Sequence, residues 1–151
     1  MRCWTITRCP TTKRLEVATL VDANVLLDLI ENDPVWADWS TARLTVAGSA
    51  GALLIGDVVY AEIALSFPRR EDLDGFLRNA RIDHTPMSRE ALFLAGKVHR
   101  DYRRSGGPRL SVLPDFFIGA QAATMSLPLL TRDVRRYRRY FPTITLIAPE
   151  A

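Results

Sequence analysis

The sequence predicts a three-layer α/β/α fold in which a short, mostly parallel central sheet lies between helices. The strand-like segments are short and apolar, helical patterns separate them, and no internal repeat or linker divides the 151 residues. A chain of this length can bury about 70% of its unfolded surface, which is enough for one hydrophobic core. Acidic residues follow several predicted strands, and ligands of parallel sheets bind at those strand ends.

The first half of the chain alternates between strand and helix patterns. LEVATLVD ends in an acid and precedes ANVLLDLI, whose apolar residues recur at helical spacing, so we expect a strand, a tight turn and a helix. A second helix is expected from Pro34 to about Ala47, before Gly48. ALLI at 52–55 predicts a buried strand, and Asp57 is the expected N-cap of the helix VVYAEIALSF.

The second half continues the alternation. Residues 70–80 have an amphipathic helical pattern, IDHTP predicts a short strand, and 88–104 predict a long helix that Ser88 opens and a Gly-Gly-Pro loop ends. A helix starting near Asp115, a strand LPLLT, a basic helix from Asp133 and a final strand TITLI complete the pattern.

The composition, 48% hydrophobic and 25% charged, excludes a long disordered chain or a fibrous repeat. No apolar run approaches the roughly 20 residues that span a bilayer, and the first residues lack the apolar stretch of a signal peptide. We therefore expect a cytoplasmic protein without membrane contact. Cys3 and Cys9 have no neighbours that would complete a disulfide framework or a zinc site.

The formal net charge of +3 suits a polyanionic ligand but also many proteins that bind none. Arginines cluster within 100–109 and within 132–139. Each cluster is consistent with a nucleic-acid contact or with a solvated helix face.

Four carboxylates lie where a cation site can form. Asp22, Asp115 and Asp133 each stand at the start of a helix, where N-capping is the simpler explanation for any one of them. Glu62 lies in an apolar helix, and a buried carboxylate needs a cation, a hydrogen-bond network or a raised pKa. An ion pair with an arginine is the simpler explanation, and a bound divalent cation is the alternative.

If these acids meet above the sheet, their mutual repulsion favours a bound cation. Carboxylates without histidine or cysteine suit Mg²⁺ or Mn²⁺ rather than zinc. Such a cation beside a phosphodiester supports hydrolytic cleavage.

Four segments in order resemble the motifs of PIN domains, in particular those of VapC-type toxins from toxin–antitoxin pairs. They are VDANVLLDL at 21–29, VVYAEIALS at 58–66, PDFFIGAQAA at 114–123 and LLTRDVRRY at 129–137. Any one of these strings is common, but four in order across an α/β pattern form a specific signal. The resemblance implies a PIN-like nuclease domain over residues 18–151 and leaves 1–17 outside it as an N-terminal tail.

The resemblance also implies particular roles for residues of this chain. The catalytic and metal-binding acids would be Asp22, Glu62, Asp115 and Asp133, with Asn24 and Thr131 orienting them. Asn24 could instead serve as a cap, and Thr131 could make a strand-end hydrogen bond. Candidate phosphate contacts are Arg104, Arg109 and Arg132, with a solvated face as the alternative, and Asp28 is either a supporting or a solvated residue.

The function that the resemblance implies is a Mg²⁺- or Mn²⁺-dependent endoribonuclease that hydrolyses RNA and inhibits translation as the toxin of a type II toxin–antitoxin system. The implied partners are an RNA substrate, a second copy of the chain and a cognate VapB-type antitoxin, in a heterotetramer or larger assembly. Two other interpretations remain open: a PIN nuclease of RNA maturation or decay, and a PIN fold that serves only as a binding module. A metal-free ribonuclease with paired histidines is disfavoured, because His84 and His99 stand in unrelated segments.

Overall fold

Five strands and seven helices follow one another in the computed structural model, which describes residues 18–108 and 113–150. In chain order they are β1 (Thr19–Val21), α1 (Ala23–Ile30), α2 (Ala37–Ala50), β2 (Leu53–Ile55), α3 (Asp57–Ala64), α4 (Arg70–Ala80), β3 (Ile82–His84), α5 (Arg89–Arg104), α6 (Pro114–Met125), β4 (Leu129–Leu130), α7 (Arg135–Tyr140) and β5 (Leu146–Ile147).

The strands form one parallel sheet in the order β3-β2-β1-β4-β5. At its centre Leu20 of β1 is in register with Leu54 of β2 on one side and with Leu129 of β4 on the other. Every residue of β1, β2 and β4 is buried, so helices cover both faces of the sheet. The predicted α/β/α arrangement and its parallel sheet are therefore confirmed.

The core lies on both sides of these strands. Leu20, Ile55 and Leu130 of the sheet are almost fully buried, as are Ile63 of α3 and Phe116 of α6. Burying an apolar side chain of this size stabilises the fold by about 1.5–3 kcal/mol. The core therefore fixes the positions of α3 and α6 over the strand ends.

Helix α2 differs from its prediction at both ends. It begins at Ala37 rather than Pro34, because the carboxylate of Asp33 accepts hydrogen bonds of 2.8 Å from two backbone N–H groups in the turn before it. The helix then continues to Ala50 instead of ending near Ala47.

Three predicted N-caps are wrong, those at Asp57, Asp115 and Asp133, and the N-cap of α6 is Leu113. Helix α3 begins at Asp57 itself, with Gly56 as the N-cap. The Asp57 carboxylate instead bonds His84 at 2.6 Å and accepts from the backbone N–H of Met87 at 3.0 Å, so it connects α3 to the segment after β3. The basic helix α7 begins at Arg135 and not at 133.

The predicted tail at 1–17 and the candidate phosphate contact Arg109 lie outside the described residues. Among the helices that are described, none is both long and apolar enough to cross a bilayer.

Candidate active site

Asp22 connects the central strand to the first helix. It has an extended backbone, and its Oδ1 atom accepts the N–H of Ala23 at 2.7 Å, so the expected N-capping interaction is present. Its Oδ2 atom accepts hydroxyl hydrogen bonds from Thr131 at 2.8 Å and from Tyr137 at 2.9 Å. Only 5% of Asp22 is exposed, and this burial raises the pKa of its carboxyl although both hydroxyl bonds oppose the shift.

Asn24 and Thr131 join the start of α1 to the end of β4. The Asn24 amide donates to the Thr131 hydroxyl at 3.3 Å and lies 3.5 Å from Oδ2 of Asp22. The Asn24 carbonyl oxygen accepts the backbone N–H of Arg132 at 3.2 Å. These are the contacts that an orienting role requires, and their effect on a metal ligand stays a prediction.

Glu62 projects from α3 toward the same end of the sheet and is partly buried. Burial, followed by the negative charges of Asp22 and Asp115, raises the pKa of Glu62 to about 7. Within the described part of the chain, no hydrogen bond or ion pair involves the Glu62 carboxylate. The arginine that could have explained a buried glutamate is therefore not found beside it among those residues.

Asp115 lies in the first turn of α6, directly after Pro114, and its side chain is 25% exposed. Its Oδ2 atom accepts a hydrogen bond of 2.8 Å from Nη1 of Arg136 in α7. This hydrogen bond to Asp115 is the main reason that the pKa of Arg136 is raised. Asp115 thus has a cationic partner. Its own negative charge raises the pKa of Asp22 and of Glu62.

Asp133 lies in the turn before α7, where its backbone N–H donates to the hydroxyl of Thr131 at 3.1 Å. Its side chain is exposed, and the Oδ1 atom accepts the backbone N–H of Arg135 at 3.2 Å. Its charge contributes to the raised pKa of Arg136, whereas the pKa of Glu62 responds to Asp22 and Asp115. The charges of Asp22 and Asp115 therefore act on Glu62, whereas Asp133 lies beside Arg136 at the exposed rim of the site, and metal binding by any of the four acids stays a prediction.

Asp28 is a supporting residue rather than a solvated one. Only 2% of it is exposed, and it accepts a hydrogen bond of 2.6 Å from the hydroxyl of Ser40. Nε and Nη2 of Arg132 each donate to it at 2.7 Å, and the guanidinium lies 5.0 Å from the ring centre of Trp36. The Arg132 guanidinium therefore neutralises a buried carboxylate, and its predicted contact with an RNA phosphate stays a prediction.

Arg104, the other described candidate for a phosphate contact, is exposed at the last position of α5. It remains a prediction.

Two residues that contact the acids were missed by the sequence argument. Tyr137 is buried, and its hydroxyl donates a hydrogen bond to Asp22. Arg136 was one of five arginines in a basic cluster, and nothing in that cluster distinguishes it. The local sequence around Arg136 could not reveal that its side chain contacts Asp115.

The chemistry of this donor set fits a hard divalent cation. The ligand atoms are carboxylate oxygens, which Mg²⁺ and Mn²⁺ prefer. Burial and mutual repulsion disfavour the ionised forms of Asp22 and Glu62, and a cation would reverse that balance. In the arrangement described for residues 18–108 and 113–150, no three acidic, histidine or cysteine side chains converge closely enough to enclose an ion. Asp115 is bonded to Arg136 instead.

A family model described as the PIN domain matches residues 19–142, which cover the sheet and all four predicted acids. No curated protein matches the chain.

Solved structures share the fold at low sequence identity. A chain of VapBC2 from Rickettsia felis, bound to a DNA fragment from its promoter, is 18% identical with a TM-score of 0.68, covering 88% of this chain and 99% of that one. Chains of DNA-bound VapBC from Salmonella typhimurium and of VapBC-1 from nontypeable Haemophilus influenzae are also 18% identical, each over 87% of this chain and 97% of theirs, with TM-scores of 0.64 and 0.65. At this identity the likeness establishes the fold.

Proposed function

The chain belongs to the PIN-domain family, and we propose that it is an endoribonuclease whose divalent cation is held by Asp22, Glu62 and Asp115. The observation that carries this proposal is the raised pKa of Glu62, a partly buried carboxyl near two further acids. A protein that only needed a stable fold would gain little from carboxylates that repel one another at the strand ends. Such groups are typical of functional sites.

The proposed residues differ in what they contribute. Asp22 is held by two hydroxyl groups and a backbone N–H, so its carboxylate is fixed before any ligand arrives. Glu62 and Asp115 approach from α3 and α6 and would complete the ligand set. Asp133, at the rim, is suited to a supporting role beside Arg136 rather than to direct binding.

When bound, Mg²⁺ or Mn²⁺ supplies positive charge against the charge that develops on the phosphoryl oxygens, and it activates water for attack. Hydrolysis adds that water across a P–O bond of the RNA, and the leaving oxygen takes up a proton. Thr131 and Tyr137 hold the buried Asp22 carboxylate, and its burial would strengthen its electrostatic interaction with a bound cation.

The proposed biological role is that of the toxin in a type II toxin–antitoxin system. The supporting observation is that the solved chains with the same fold come from VapBC complexes, two of them bound to DNA. We extend to this chain a VapB-type antitoxin partner and a homodimer within the assembly. Co-purification with the small protein encoded beside it, followed by analytical ultracentrifugation, tests both.

Expression of the chain alone from an inducible promoter in a bacterial host tests the function. We expect growth arrest and new RNA ends with the wild type, and neither with the Asp22→Asn/Asp115→Asn double variant. Asp38→Asn, an exposed acid of α2, is the matched control and should arrest growth like the wild type. Equal growth of all strains, without cleavage of added RNA by purified protein, would favour a binding module instead. Cleavage without growth arrest would favour a nuclease of RNA maturation.

A further inference from the structure

Arg136 occupies the carboxylate that the proposed cation would use. Its Nη1 atom lies 2.8 Å from Oδ2 of Asp115, and its positive charge is therefore beside a cluster whose other acids are Asp22 and Glu62. An arginine in this position does part of the work of a cation, because it neutralises the acid on the exposed side of the cluster. A divalent ion and this guanidinium therefore compete for one carboxylate.

The ion pair is accessible enough to be displaced. The side chain of Arg136 is 45% exposed and that of Asp115 is 25% exposed. Solvent-exposed pairs of this kind contribute little to stability, in contrast to the buried Asp28, which Arg132 bonds through two nitrogen atoms. Breaking this pair between α6 and α7 should therefore leave the fold intact.

Arg136 also has a place to move to. It borders a cleft of about 330 Å³, whose lining residues are Tyr102, Asp133, Arg135, Arg136 and Arg139. The charge of Asp133 already favours the ionised guanidinium, so this rim carboxylate is an alternative acidic partner. Arg136 itself lines this cleft, and its side chain is 45% exposed.

We propose that Arg136 is an internal competitor of the divalent cation: it holds Asp115 while the cation is absent and turns toward Asp133 in the arginine-lined cleft when the cation binds. This inference rests on the proposed cation site and adds a regulation of it. The arginine lowers the cation affinity of the free protein and protects Asp115 from unpaired charge.

Titration of the full-length chain with Mn²⁺, followed by isothermal calorimetry, tests the competition without any substrate. Arg136→Gln should bind Mn²⁺ roughly three- to fivefold more tightly than the wild type, which is the scale expected for releasing one half-exposed ion pair. Arg138→Gln is the matched control, since it removes the same charge from the exposed side of α7 without lining the cleft. It should change the affinity much less. Arg136→Lys, which keeps the charge, should lie between the wild type and Arg136→Gln.

Equal affinities of the Arg136→Gln and Arg138→Gln variants would overturn the proposal, because net charge alone would then explain the change. Weaker binding by Arg136→Gln would also overturn it and would make Arg136 an aid to binding. RNA cleavage by the wild type separates this inference from the proposed function. If cleavage persists while the two variants bind alike, only the competition is refuted, whereas absence of both Mn²⁺ binding and cleavage refutes the two together.

Discussion

The Asp22 carboxylate is fixed by hydroxyl groups from two separate segments, one after β4 and one within α7. Both hydroxyl bonds reach the same oxygen atom, and the other oxygen caps α1. A buried carboxylate that loses one such bond remains buried but is less well stabilised. At the residue scale, the position of the Asp22 carboxylate therefore depends on the hydroxyl groups of Thr131 and Tyr137 as well as on Asp22 itself.

Tyr137→Phe removes one of these hydroxyl groups and keeps the ring that fills the core. We expect a loss of about 1–2 kcal/mol in the free energy of unfolding, since hydrogen bonds to charged groups are stronger than average. Urea denaturation at pH 7.5 measures it. Tyr140→Phe changes a less buried hydroxyl on the same helix and should have little effect. If the two variants lose the same stability, the Asp22 contact is not what Tyr137 contributes.

Replacement of Arg132 distinguishes a structural role of this residue from a role in RNA binding. The remaining Asp28 is 2% exposed, so Arg132→Gln leaves a buried charge and should cost about 3 kcal/mol. Adding Asp28→Asn should recover part of that loss, because the unpaired charge is then gone. Thermal unfolding measures both. An Arg132→Gln variant that is as stable as the wild type but binds RNA more weakly would instead support the predicted contact between Arg132 and an RNA phosphate.

The raised pKa of Glu62 makes stability depend on pH in a definite direction. Its pKa is about 7 in the fold and about 4.5 in an unfolded chain, so the folded state holds more protons between these values. Stability should therefore fall as pH rises through this window. The free energy of unfolding of Glu62→Gln relative to wild type should increase by on the order of 2 kcal/mol from pH 5 to pH 8 in EDTA.

The matched variant for this pH series is Glu31→Gln, an exposed acid at the end of α1. Its stability relative to the wild type should be nearly the same at pH 5 and at pH 8. A flat Glu62→Gln difference over the same range would contradict the raised pKa of Glu62, which burial causes first and the charges of Asp22 and Asp115 second.

At the scale of elements, the sequence predicted the type and order of the helices and strands better than their ends. Hydrophobic periodicity identified α1, α4 and α5, because each buries one face. The ends depend on particular side-chain contacts: Asp33 accepts backbone N–H groups of the turn that follows it, and Asp57 accepts the backbone N–H of Met87 after β3. Because such partners are distant in sequence or compete with helix caps, local patterns could not locate the boundaries.

Two helical glycines test how tightly the elements pack. A Cβ atom on Gly119 of α6 would lie 2.4 Å from the ring of Phe141, whereas one on Gly96 of α5 would meet nothing within 4 Å. Gly119→Ala should therefore destabilise the fold by about 1–3 kcal/mol through overpacking.

The matched change Gly96→Ala should stabilise by about 0.5–1 kcal/mol, because alanine loses less entropy in a helix. Unfolding in urea compares the two. A stabilising Gly119→Ala would mean that α6 has room to shift away from the ring of Phe141.

At the scale of the whole molecule, the parallel sheet explains why distant acids meet. β1 and β4 are neighbours, so the residues that follow them, Asp22 and Thr131, lie within a hydrogen bond although 109 positions separate them. This convergence could be predicted from strand ends alone. The position of Asp133 could not, because a few residues of turn before α7 carry it to the rim.

The electrostatics of the site also belong to the whole molecule. Glu62 and Asp115 come from helices on different crossovers, and core packing of α3 and α6 sets how strongly their charges repel. The sequence identified both residues as candidate acids. It did not identify Arg136 as their neighbour, because the direction of that side chain depends on the rotation of a six-residue helix.

The most direct measurement is cleavage of single-stranded RNA by the purified chain with Mg²⁺ or Mn²⁺, compared with EDTA and with the separate Asp22→Asn, Glu62→Gln and Asp115→Asn variants. We expect new RNA ends only when the cation is present. Each of the three variants should cleave at least a hundredfold more slowly, which corresponds to roughly the 3 kcal/mol of a lost transition-state contact. Asp38→Asn should cleave like the wild type. Cleavage that persists in EDTA, or that survives loss of Asp22, would contradict a cation site built on these three acids.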